Sequence, residues 1–210
     1  MITTHHYLNK YLIDPTCNKI IIGTIHPHDV EKFELDFFYG NICSIWNILS
    51  DAFPNELRRP FSLIGIQAFL KARKVTISDT IRQCERIKPT ALDKDLEPTI
   101  LNTELLDQIK NSQIDHLIFT SGFCKNNAFK LFYVNLLKQK LTKEIRTHRE
   151  MILPENLLGR PLKVSILYSP SGMSNVPISG TKAFQSFKNL NPELNTYDFK
   201  VQQYKSVISQ

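Results

Sequence analysis

The stretch KVSILYSPSGMSN, residues 163–175, decides how this chain is read. Lys163–Tyr168 is almost continuously apolar, the pattern of a strand buried on both faces rather than one with a wet face. The turn that follows, Ser169-Pro170-Ser171-Gly172-Met173-Ser174, is stiffened by proline, opened by glycine and carries one large apolar side chain at its tip. Its small hydroxyl residues let the backbone approach a phosphate closely. Met173 is read either as a functional tip or as a side chain folded back onto the core. Three more runs have the same strand character: Lys19–Gly23 (KIIIG), Lys74–Ser78 (KVTIS) and His116–Thr120 (HLIFT). Helical period fills the gaps. Ile45, Trp46, Ile48, Leu49 and Phe53 make an apolar face, Pro60 is placed to open a helix through Lys71, and Leu101–Ile109 forms another. Asn126–Lys140 carries Phe129, Phe132, Tyr133, Leu136 and Leu137 on one face, and Thr181–Leu190 follows the last strand. This alternation predicts an α/β fold: one three-layer α/β/α domain over residues 1–210, around a central, mainly parallel four-stranded sheet.

Composition narrows the function classes. The 26 Lys+Arg against 20 Asp+Glu leave a net charge of +6, a bias toward anionic partners. No apolar run approaches the roughly 18–20 residues that cross a bilayer, and Met1–His6 lack the layout of a secretion signal, so a soluble cytoplasmic protein without a membrane partner is expected. Cys17, Cys43, Cys84 and Cys124 are scattered with no CxxC pair, the pattern of reduced thiols rather than a metal or cluster site. The basic stretch Leu137–Glu150 is either a solvated helix face or a phosphate contact. There is no Gly-x-Ser-x-Gly elbow, Walker loop or Rossmann glycine triplet.

In an open parallel sheet, ligands bind beyond the carboxyl ends of the strands. Four strings occupy those corners: Gly23-Thr24-Ile25-His26-Pro27-His28, Ser78-Asp79-Thr80, Ser121-Gly122 and Ser169 to Asn175. Each is polar or glycine-containing, as a site requires.

These corners carry a resemblance. Gly-Thr-Ile-His-Pro (23–27), Phe-Phe-Tyr-Gly-Asn (37–41) with Trp46 beyond it, and Ser-Pro-Ser-Gly-Met-Ser (169–174) resemble motifs of the uracil-DNA glycosylase superfamily. Ser78–Arg86 (SDTIRQCER) is similar to a string in its hypoxanthine-type members, so the closest subgroups are those and the mismatch-specific enzymes. The resemblance covers about residues 19–190. It implies a DNA glycosylase of base-excision repair that flips a deaminated base of the uracil or hypoxanthine type and hydrolyses its N-glycosidic bond. Such an enzyme needs no metal and no cofactor, and acts as a monomer on DNA containing a damaged or deaminated base.

Roles carry over residue by residue. His26 stands where relatives have Asp or Asn to orient the attacking water; the residues alone also allow a turn cap or a phosphate contact. Asn41 is the nearest amide to the relatives' Asn, though strict spacing lands on Cys43. Asp79 ends the second strand, where classical members read the base edge with Asn. As a carboxylate it only accepts hydrogen bonds, which suits a ring N–H and leans away from uracil; its other use is to cap a helix over Thr80–Arg86. Thr24, Ile25, Phe38, Tyr39, Ser78 and Ser169 are the implied substrate-binding residues, with Phe38 spaced from Trp46 like the family's stacking aromatic, or else part of an aromatic core. His28, Ser121, Pro170, Ser171, Gly172, Met173, Ser174 and Asn175 are the implied DNA contacts, Met173 serving as the wedge that fills the vacated stack. Because the acid and the Asn of the first motifs are replaced, a catalytically weak or inactive nucleic-acid-binding protein on the same fold is the alternative.

Overall fold

In the computed structural model, residues 1–88, 90 and 92–210 are described. The strands are β1 (Ile2–Thr4), β2 (Lys19–Gly23), β3 (Val75–Asp79), β4 (Ile81–Arg86), β5 (Leu96–Leu101), β6 (His116–Phe119), β7 (Glu150–Leu153) and β8 (Leu162–Ile166). The α-helices are α1 (Ser44–Ala52), α2 (Leu63–Ala72), α3 (Glu104–Lys110), α4 (Ala128–Lys130, running on as a π-helix over Leu131–Leu136), α5 (Lys143–His148), α6 (Glu155–Leu158), α7 (Asn175–Ser179), α8 (Lys182–Leu190) and α9 (Thr196–Ser209).

The main sheet has the order β3-β2-β6-β8-β7. Its first four members are parallel and are the four apolar runs of the sequence; β7 adds a fifth, antiparallel edge strand. The physical basis of those runs is visible in β2. Ile21 packs with α1, α2 and α9 on one side, while Ile20 and Ile22 pack with α3, α4 and the π-helix on the other. A strand with helices on both faces has no residue to leave in water, so its pattern is continuous rather than alternating. Helix caps follow the local sequence. Ser62 accepts from Gly65 N at the start of α2, and Thr181 accepts from Phe184 N at the start of α8.

Three expectations are corrected. The sheet has five mixed strands, not four. A second sheet, β1-β4-β5, is wholly antiparallel. Thr80–Arg86 is therefore not a helix capped by Asp79: Ile81–Arg86 is the middle strand of that second sheet, with Cys84 opposite both Thr3 and Pro98. Partners on both sides satisfy its backbone, and Ile81, Cys84 and Arg86 turn inward. The basic stretch Leu137–Glu150 is also no single helix. Leu137 and Ile145 are buried, α5 occupies only Lys143–His148, and Arg149 takes a left-handed conformation (φ 58°) that leads into β7. Arg149 faces inward rather than onto a solvated surface, donating to the carbonyls of Ile166 (2.8 Å) and Leu167 (2.9 Å). No helix among the described residues is long and apolar enough to cross a membrane.

Candidate functional site

The floor of the site forms where β2 and β3 end side by side, with Gly23 opposite Asp79. A Cβ on Gly23 would lie 2.3 Å from Asp79 Oδ1 and 2.4 Å from Tyr39 Oη. Only glycine lets these two polar atoms converge there. Tyr39 is brought in from the loop before α1 by a left-handed backbone (φ 57°), and its hydroxyl shares a 2.8 Å hydrogen bond with Thr120 Oγ1 beyond β6. Burial, with Asp79 nearby, holds the phenol well above its ordinary range, so it stays neutral.

Asp79 has a partner from the far N-terminus. His5 Nε2 lies 2.8 Å from Asp79 Oδ2, while His5 Nδ1 accepts backbone N–H groups from Tyr7 (3.1 Å) and Leu8 (3.3 Å). A nitrogen that accepts two N–H bonds carries no proton. His5 is therefore assigned as the neutral Nε2–H tautomer, donating to the Asp79 carboxyl group. Oδ2 is committed to His5, and Oδ1 is the oxygen aimed over Gly23.

His26 is held at both nitrogens. Nδ1 donates to the carbonyl of Pro27 (2.6 Å), and Nε2 accepts from the backbone N–H of His6 (2.8 Å). Burial pushes its imidazole down to about 4, so it is neutral. Its ring packs edge-on against His5 (4.8 Å between centroids) and Tyr7 (5.3 Å). Arg86 reinforces the turn by donating to the carbonyl of His26 (2.6 Å). So held, the imidazole has no lone pair free for a water molecule, and it locks the N-terminal segment to the strand end.

The remaining walls come from three loops. Asp93, in the connection between β4 and β5, accepts from Thr24 Oγ1 (2.9 Å) and Asn127 Nδ2 (2.9 Å). Burial raises its carboxyl to about 6, with Asp79 pushing in the same direction. Ser121 lines the cavity while its hydroxyl accepts from Ala128 N (2.8 Å) at the start of α4. The 169–174 turn forms the upper wall, tied together by its own serines: Ser174 Oγ donates to the carbonyls of Ser169 (2.7 Å) and Ser171 (2.8 Å). Lys200 of α9, fully buried, reaches up to the Ser171 carbonyl (2.8 Å), and burial pushes its ammonium down to about 8. The cavity so enclosed has a volume of about 330 Å³, within the usual range of small-ligand sites. Ile42 and Met173, 59% and 72% exposed, stand on its lining as apolar side chains open to solvent.

Of the residues singled out from the sequence, Thr24, Ile25, His26, Tyr39, Asn41, Asp79, Ser121, Ser169, Pro170, Ser171 and Met173 line this one cavity. Others lie outside it. Phe38 is buried in the core with Phe37 and Trp46, its carbonyl accepting from the Trp46 indole N–H (3.0 Å), and Cys43 is buried beside them. Ser78 points behind the floor toward Asn102. His28 bonds Thr3 (3.0 Å), and Gly172, Ser174 and Asn175 sit above the cavity without lining it. Sequence reasoning missed His5, Asp93, Thr120 and Ile42. Asp93 lies seven residues beyond the SDTIRQCER string, and that proximity was the one available signal; the His5 contact spans 74 residues and left none.

A larger cleft of about 530 Å³ lies between α5, β8 and α9, lined by Phe123, Arg146, Arg149, Tyr168 and Lys182 among others. It gathers basic and aromatic residues but none of the strand-end carboxylates. The strand-end carboxylates lie in the smaller cavity.

The architecture has a solved counterpart. The solution NMR structure of a "putative Uracil DNA glycosylase" from Methanosarcina acetivorans matches this chain with a TM-score of 0.55 at 14% identity, covering 99% of this chain and 97% of that one. The two chains share a fold. No protein-family model matches the sequence, and no curated protein is similar to it at a significant level. In this fold the 330 Å³ cavity lies beyond the carboxyl edge of the parallel strands.

Proposed function

We propose that this protein is a DNA glycosylase of the uracil-DNA glycosylase superfamily, which flips a deaminated base into the 330 Å³ cavity and hydrolyses its N-glycosidic bond. The observation that carries the reading is the convergence of all four strand-end corners on a single cavity whose floor presents the His5-held carboxylate of Asp79. The mismatch-specific and hypoxanthine-type subgroups remain the nearest match in motif. The reading takes residues 1–210 as one domain that acts as a monomer; the single domain is supported by His5 reaching the floor from one end of the chain and Lys200 bracing the 169–174 turn from the other.

In the reaction the bond between C1′ and the base breaks, and its electron pair leaves with the base. Water supplies the hydroxyl that bonds to C1′, and the water's proton ends on the released base through solvent. Asp79 has two uses in this. Its Oδ1 accepts a ring N–H of the flipped base, and its fixed negative charge stabilises the cationic sugar in the transition state. Tyr39 flanks it as a neutral donor and flat wall. Met173, with Ile42, is the apolar pair placed to enter the stack as the base leaves it.

One observation favours the alternative, a binding module without activity: His26 occupies the water-activating position of relatives with both nitrogens engaged. Base release from oligonucleotides containing uracil, hypoxanthine or xanthine separates the two. The glycosylase reading expects release by wild type and a loss of at least about 10²-fold in Asp79→Asn with duplex binding retained. Duplex binding with no release from any of the three would establish the binding module.

A further inference from the structure

We propose that Asp93 is a catalytic residue that contacts the flipped base and, together with Asp79, reads a lactam edge, a ring N–H beside a carbonyl. This rests on the glycosylase reading and sharpens it to a substrate class: uracil, hypoxanthine and xanthine have that edge, whereas adenine and cytosine present an amino group instead.

Asp93 and Asp79 both line the cavity, and among the described residues neither forms an ion pair with a Lys or Arg side chain. The titratable groups facing Asp93 are Asp79 from β3, Tyr39 from the loop before α1 and Arg86 from β4. Tyr39 is neutral. Arg86 spends its donors elsewhere, on Thr3 Oγ1 (2.9 Å) and the carbonyls of Thr90 (2.9 Å) and His26 (2.6 Å). His5, the partner of Asp79, is the neutral tautomer. Asp95 of Asp93's own turn is bonded to Thr90 Oγ1 (2.7 Å). Two carboxyl groups in one poorly solvated cavity, neither ion-paired with a Lys or Arg side chain among the described residues, do not both ionise readily, so one retains a proton to higher pH. Asp93 accepts from Thr24 and Asn127 as Asp79 does from His5, so these donors do not decide between the two; burial does, raising the Asp93 carboxyl to about 6 and making Asp93 the proton holder.

The complementarity follows from the donor inventory. A carboxylate accepts and a carboxylic acid donates. Asp79 with protonated Asp93 therefore offers one acceptor and one donor, the pair that a single amide side chain would supply and that Asp79 alone lacks. The donor also meets the carbonyl oxygen on which the leaving base accumulates negative charge, so the contact strengthens as the bond breaks.

The test measures single-turnover release of uracil and hypoxanthine from duplexes, and NMR-detected binding of free hypoxanthine and free adenine, between about pH 5 and 8 for wild type, Asp93→Asn and Asp93→Ala. Wild-type release and hypoxanthine binding should decline about tenfold per pH unit above about pH 6, with adenine bound weakly throughout. Asp93→Asn keeps a donor at every pH, so it should hold wild-type activity to within about tenfold and lose the slope, while Asp93→Ala is depressed at all pH values. Release by wild type with the slope intact in Asp93→Asn, or with Asp93→Asn as inactive as Asp93→Ala, overturns the role of Asp93 and leaves the glycosylase reading standing. Adenine bound as well as hypoxanthine overturns the substrate class. If wild type releases no base yet binds hypoxanthine with a slope that Asp93→Asn abolishes, the glycosylase reading fails and the lactam-reading pair survives. Neither release nor binding removes both.

Discussion

At the scale of single residues, the site depends on Gly23 more than on any side chain. Asp79 Oδ1 and Tyr39 Oη fill the space where a Cβ would stand, so Gly23→Ala forces one of them away. Overpacking of this kind costs about 1–3 kcal/mol. We expect Gly23→Ala to remain folded with a modestly lowered melting temperature and to lose base release by about 10²-fold, because a displacement of about 1 Å is enough to do so. A wild-type rate in that variant would show that the two groups need not converge. The residue scale is also where sequence reading was weakest. Asp79 and Tyr39 were legible because they follow or flank recognisable strings. His26 was legible as a position but not as a role, since its engagement by the His6 N–H is invisible in the string Gly-Thr-Ile-His-Pro. Asp93 was passed over among the acidic residues of its turn. Its significance comes from depth in a cavity, which composition does not encode.

At the scale of elements, the 169–174 turn acts as a braced arm. Serine hydroxyls bond its own carbonyls and Lys200 anchors it to α9, so Met173 projects from a rigid support. An unbranched apolar side chain on such a support can fill the gap left by a flipped nucleotide. Met173→Ala should therefore reduce base release from paired duplex about tenfold more than from a single strand, where no stack must be opened. Equal losses on both substrates would return Met173 to a merely exposed position. The four parallel strands and the helices α1, α2, α3 and α8 were readable from local pattern, because burial on two faces or on one stripe leaves a periodic trace. The strands β1, β4, β5 and β7 were not. β1 has only three residues, and Thr80–Arg86 has a composition that suits helix or strand equally; it becomes a strand because β1 and β5 lie on either side of it.

At the scale of the whole molecule, buried ionisable groups set the response to pH. Burial holds His26 and His116 near 4, whereas both titrate at about 6.5 once unfolded. Between those values the unfolded chain binds more protons, so stability is present above about pH 6.5 and is lost as pH falls toward 4, on the order of 3 kcal/mol for each histidine. Asp93 works the other way, gaining stability as pH falls below 6, and offsets part of the loss. Melting temperature should fall steadily between about pH 6.5 and 4.5, less steeply in His116→Gln; a flat profile would contradict the burial of these rings. What the sequence by itself determined was the parallel α/β core and the four polar corners at its strand ends, because strand burial and turn composition are local properties written in consecutive residues. The tertiary structure alone decided which corners meet, that a second antiparallel sheet carries the N-terminus to the floor, and that His5 and Asp93 flank Asp79. Those are contacts between residues distant in the chain, and their energies depend on desolvation and geometry that no short window of sequence contains.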